Sequence, residues 1–292
     1  MTAPSITPTI AQCQRFACIL VGIPSGEEAA SVKTPALEFA IELARAKRAT
    51  LSVHVSAPQL HTPLPMSAAT ASLWLAKETE RLEKLTSTTT RNAAELASKA
   101  GLDVIVEHPN SPFESRSSRF VQLARVHDLT LLDAADASDT SRRDAIEDVL
   151  FDSGHALLLV PSHGGMVRPS RIAIAWDGSA RSARAVKDAL PFLGMADTVV
   201  AVTIEGEKDL TRMAPGADLA IWLARHGVEC KLATLTAQTR DVAERLRLFV
   251  AEENMEMIVM GAFVHSRFRQ AILGGVTQSL LDRPPVPLFM AH

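Results

Sequence analysis

Cysteine is scarce in this chain. Its 292 residues hold three, Cys13, Cys18 and Cys230, with no C-x-x-C pair and no zinc-ligand spacing. So few thiols in such an arrangement point to a reducing compartment, and we expect the cytoplasm. Charge of one sign is also lacking. Thirty Lys and Arg against 33 Asp and Glu leave a formal net charge of −3, so we expect neither nucleic acid nor an anionic membrane as a partner. No uncharged apolar run reaches the ~18 residues of a spanning helix. Residues 1–12 lack the basic start and apolar run of a secretion signal.

The familiar catalytic and phosphate-binding signatures are missing too. There is no G-x-x-x-x-G-K-[ST] loop, and no G-x-G-x-x-G follows either candidate first strand. HExxH, a G-x-S-x-G elbow and an obvious metal cluster are likewise absent. His265 and His292 are isolated in sequence and read as loop or surface residues. We therefore expect no enzyme.

What is present is ample apolar material, 47% of residues against 22% charged, enough for a sizeable core. The length alone favours two domains. Short apolar runs rich in β-branched residues read as strands over 16–23, 51–57, 102–108, 129–134 and 156–162. A second set lies over 171–177, 198–204, 228–234, 255–261 and 286–292. Most run apolar throughout, as in parallel strands covered on both faces. The segments between them, among them 69–100, 179–193 and 239–254, have helical periodicity. Corresponding pieces recur after roughly 130–155 residues, a repeat of whole domains.

This predicts an α/β protein of two Rossmann-like domains, each a five-stranded parallel sheet between helices. The expected boundaries are an N-terminal domain over 1–162, a Pro/Gly/Ser linker over 163–170 and a C-terminal domain over 171–292.

Two segments of the second half should meet at one sheet edge, where open parallel sheets bind ligands. The first, WDGSARSARA (176–185), leaves the first strand with Asp177 at its end. That carboxylate can accept from an amino group or a ribose hydroxyl, or it can cap the next helix together with Ser179. The second, from Met260 to Leu281, carries Gly261 at a strand end and Gly274-Gly275-Val276-Thr277 at a helix start. Such glycines expose backbone N–H groups to an anion, or simply make a turn.

These features together resemble the universal stress protein family. The resemblance rests on the duplicated five-strand pattern, the strand-end WDGS and the segment GAFVHSRFRQAILGGVTQSLL. It covers the C-terminal half throughout and the N-terminal half in layout alone. The fold it implies is that of the adenine nucleotide alpha hydrolase-like domains. In nucleotide-binding members a G-x2-G-x9-G-[ST] loop cradles phosphates and a first-strand aspartate faces adenine. By that resemblance Asp177 faces adenine, while Gly261 and Gly274 are the first and third motif glycines. Val276 and Thr277 begin the phosphate-facing helix, and His265 either faces the same phosphates or is a solvated loop residue.

Val264 stands in place of the second motif glycine and Gly275 in place of Ser or Thr. A left-handed valine costs roughly 1–2 kcal/mol, and a lost hydroxyl bond to a charged phosphate roughly 1.5–3 kcal/mol.

The resemblance implies a stress-response protein holding ATP or AMP, with Mg2+ accompanying ATP, in the C-terminal half alone. Further implied partners are a second tandem chain and an unknown protein. It also implies that 156–162 and 286–292 pair edge to edge within the chain, as single-domain members pair between chains. Two other readings are a scaffold that binds no nucleotide and, by fold analogy, a hydrolase or transferase acting on an adenylate.

The first half carries no aspartate at its first strand end. Its fourth strand runs into Asp133, Asp136 and Asp139, which repel phosphate unless Arg142 and Arg143 compensate. We expect no nucleotide there, and read the aspartates as a helix cap in preference to a metal site.

Overall fold

The structure is a computed structural model that describes residues 16–24, 33–56, 67–102, 104–107, 116–135, 139–205, 216–236, 241–262, 264–265 and 272–292. The first half runs β1 (Cys18–Pro24), α1 (Pro35–Lys47), β2 (Thr50–Ser56), α2 (Ala68–Lys99) and β3 (Val104–Glu107). It continues α3 (Arg116–Ala124), β4 (Leu129–Asp133), α4 (Thr140–Asp152) and β5 (Ala156–Val160). The second half runs β6 (Arg171–Ala175), α5 (Ala180–Asp188), α6 (Leu190–Leu193), β7 (Thr198–Glu205), α7 (Ala217–Arg225) and β8 (Cys230–Thr236). It closes with α8 (Val242–Glu252), β9 (Met257–Gly261), β10 (Val264–His265), β11 (Ile272–Leu273), α9 (Gly275–Asp282) and β12 (Leu288–Ala291).

All ten expected strands form, their ends within two residues of the apolar runs. They build one ten-stranded sheet in the order β3-β2-β1-β4-β5-β12-β9-β6-β7-β8. Each half thus repeats one order, with its first strand central and its fifth at the inner edge. The two inner edges join antiparallel, Leu288 opposite Leu159, Phe289 opposite Leu158 and Met290 opposite Leu157. Every other pairing in this sheet is parallel. The expected pairing of 156–162 with 286–292 is therefore present. It fuses the two five-stranded units into a single sheet whose halves run in opposite directions.

The sequence explains the seam. Strand β5 reads ALLLV and every residue is buried, so it can only be an interior strand with both faces covered. The core is accordingly double. One cluster joins residues of α1, α5, α6 and α7 with inward residues of both halves, Leu158 and Phe289 among them. The other joins α3, α4, α8 and α9 with the opposite strand face, including Leu157, Leu159 and Met290. An aromatic row crosses between the halves: Phe16 lies 5.4 Å from Phe192, and Phe192 lies 6.0 Å from Phe289 edge-on.

Two elements depart from the sequence reading. The helical segment 179–193 is two helices, because Pro191 near the start of α6 has no N–H to continue the α5 ladder. Residues 262–273, read as a loop, contain a small antiparallel bridge, Val264 opposite Leu273 and His265 opposite Ile272. Helix α2 has 32 residues, about 48 Å, whereas its counterpart α7 has 9.

Candidate functional site

In the second half the chain lays down β6, β7 and β8 outward, then returns to the other side of β6 with β9 and β12. The switch point lies between β6 and β9, where strand order reverses and a crevice opens beyond the carboxyl ends. Ala175 pairs with Met260, so Asp177 and Gly261 leave neighbouring strands side by side.

Asp177 sits in a tight turn. Its Oδ1 accepts the backbone N–H of Ser179 at 3.0 Å, and the intervening Gly178 is left-handed with φ +70°. Ser179 caps α5, its hydroxyl accepting the Ser182 N–H at 3.1 Å. The capping geometry weighed for Asp177 and Ser179 is thus real. Asp177 remains only partly buried at the crevice.

Gly261 has a packing role that sequence reasoning missed. A Cβ there would lie 2.5 Å from the Ser182 backbone N and 2.7 Å from the Arg181 carbonyl carbon. The first turn of α5 lies directly on the end of β9, and only glycine lets it. The linear signal is a glycine ending a fully buried strand, which says nothing of the helix above it.

Val264 and His265 form β10, and the valine's backbone is extended. The left-handed conformation a second motif glycine would serve does not occur at this position, and β-branching suits the strand. Gly274 is the N-cap of α9 with extended backbone (φ −64°, ψ 148°), and no side chain caps the helix. Gly275, at the first helical position, has open space where a Cβ would go. Among the described residues, then, the N-terminus of α9 has no side-chain cap, and its backbone N–H groups suit an anion. Val276 packs against the core, and Thr277 is 1% exposed in the first turn of α9. Thr277 is buried, so the donors at the exposed start of α9 are backbone N–H groups.

The same register places the first half's counterparts. Ile19 pairs with Leu129 as Ile172 pairs with Met257, and Asp133 pairs with Val160 as Gly261 pairs with Ala291. Counting from these pairs, Pro24 matches Asp177 and Asp133 matches Gly261. Asp133 is buried, and its Oδ1 accepts the Ala36 N–H in the first turn of α1 at 2.7 Å. Burial pushes its carboxyl above the ordinary range, while bonds from the Ala36 N–H and the Thr34 side chain, and the Arg142 charge, pull it down. Asp139 caps α4 by accepting the Arg142 N–H at 3.0 Å, as the helix-cap reading expects. Arg142 pairs with Asp139 at 3.1 Å and donates to the Ala134 carbonyl. Arg143 crosses the seam to Asp282 at 2.5 Å. Asp136 lies outside the described residues.

Among the described residues no group of three His, Cys, Asp or Glu could hold a metal ion. Among them, too, no helix is long and apolar enough to cross a membrane.

Residues 169–292 match the model of the Universal stress protein family. No curated protein matches the chain. Among solved structures, a universal stress protein from Archaeoglobus fulgidus DSM 4304 is similar with a TM-score of 0.67 at 15% identity, covering 95% of this chain and 97% of its own. A functionally unknown protein from Pseudomonas aeruginosa PAO1 is similar with a TM-score of 0.57 at 15% identity, covering 96% and 94%. At such identities these are likenesses of fold, and they extend over both halves.

Proposed function

We propose, for a chain whose residues 169–292 match the Universal stress protein family model, that this half binds one adenine nucleotide as a regulatory ligand in a cytoplasmic stress response. The observation that carries the reading is the uncapped N-terminus of α9, with open space above Gly275, at the same switch point as Asp177. A phosphate fits the backbone donors of Gly275 and Val276, and the Asp177 carboxylate is the acceptor for the adenine amino group. Mg2+ enters with ATP, held by the phosphates. The role is binding rather than turnover: Asp177 is committed to the turn at Ser179 and belongs to the base end.

A second reading, an interaction protein without nucleotide, draws on the buried Thr277 and the hydroxyl missing at Gly275. Either role can include a second copy of the chain. A copy that docks onto the already folded chain must use a surface other than the seam, because β5 and β12 each already have a strand on both sides.

Native mass spectrometry during an ATP titration tests the proposal. We expect one nucleotide per chain, lost or weakened at least tenfold (about 1.4 kcal/mol) in Asp177→Ala. No adduct at millimolar ATP would sink the reading and leave the interaction protein.

A further inference from the structure

We infer that Asp133 is a built-in anion that occupies the strand-end crevice of the first half and closes it to charged ligands. The juxtaposition is specific. At the switch point of the second half, β9 ends in Gly261 and α5 rests its first-turn backbone directly on that glycine. At the equivalent point of the first half, β4 ends in Asp133, whose side chain occupies the place where Gly261 has none.

The receiving groups correspond as well. Thr34 caps α1 as Ser179 caps α5, each accepting the N–H three residues on. Ala36 and Arg181 thus hold the same position in their helices, two residues after the cap. In the first half the carboxylate of Asp133 accepts that N–H at 2.7 Å, and the residue is 6% exposed. A helix N-terminus carries a partial positive charge that an anion satisfies. Here the anion is covalently part of the chain, present at every ligand concentration.

The neighbouring groups complete the closure. Arg142, which could draw an external anion, is engaged by Asp139 and the Ala134 carbonyl. Pro24 stands where the second half has Asp177. Gly22, inside β1, is covered by Phe120 and Leu132, whose atoms lie 2.6 and 2.7 Å from the site of a Cβ. Desolvation opposes the charge of Asp133, so the residue occupies its place against a cost that an alanine or serine would not carry.

The inference does not depend on nucleotide binding in the second half, and its test reads the first turn of α1 alone. Hydrogen exchange of the peptide containing Leu37 and Phe39 is followed in the full chain with and without inorganic phosphate. Wild type is expected to be indifferent to phosphate. Asp133→Gly should exchange about tenfold faster in this turn and regain protection at tens of millimolar phosphate. Asp133→Asn, which fills the space and keeps an acceptor, should stay indifferent. If Asp133→Gly is not folded alone, recovery of its circular dichroism by phosphate supports the inference equally. Unchanged exchange in Asp133→Gly, or a turn or fold that phosphate does not restore, overturns it.

Discussion

Gly261→Ala should lower stability by about 3 kcal/mol, whereas Gly275→Ala should leave it unchanged or raise it by roughly 0.5 kcal/mol. Both are glycines of the segment that resembles the phosphate-binding motif, Gly261 as its first glycine and Gly275 in its Ser/Thr place, yet their surroundings are opposite. At residue 261 a methyl group meets backbone, the Ser182 nitrogen and the Arg181 carbonyl carbon. Backbone cannot change rotamer, so α5 must lift off the sheet and drag Ala185 and Val186 out of the core. At residue 275 the methyl group enters open space, and the backbone is already helical. Alanine there relieves the entropy that glycine loses on entering a helix. Denaturant unfolding of the two variants separates the cases. Equal stability losses in the two variants would refute the packing account of Gly261.

Phe289→Ala is expected to cost about 3–5 kcal/mol, the range for emptying a fully buried aromatic site. Phe289 is 0% exposed in β12, paired across the seam with Leu158, and meets Phe192 edge-on. Phe16 of the first half contacts the same Phe192 ring. The vacated volume therefore borders both halves, and the loss should appear in a single unfolding transition. A second, unshifted transition belonging to the first half would show that the seam does not couple the two units.

The legibility of the chain divides along a physical line. Strands buried on both faces are mostly apolar throughout, so MIVM, IAIA and ALLLV can be read directly, and their repetition reveals the duplication. The Asp-Gly-Ser turn also carries its signature, since its bonds join residues two and three apart. Contacts made between distant segments leave no such trace. Nothing near Gly261 in sequence announces α5, which lies about eighty residues upstream. The aspartates after β4 read as a repulsive group, yet Asp133 points at a helix N-terminus almost a hundred residues earlier. Thr277 looks like a hydroxyl donor in the motif, and in the fold it is a buried residue of the first turn of α9.

The order in which the chain is made gives the seam a further meaning. Strand β12 lies between β5 and β9 but is synthesised after both. Until it is in place, β5 presents a row of unpaired backbone groups flanked by three leucines, the kind of edge that recruits foreign strands. The β12 of a second chain carries the same Leu-Phe-Met-Ala face and fits that edge equally well. Residues 161–170, without helix or strand, connect the halves. At high concentration during refolding, such a chain is set up to exchange its second half with a neighbour. Dilution during refolding, or slow synthesis that lets each β12 find its own β5, keeps the pairing within one molecule.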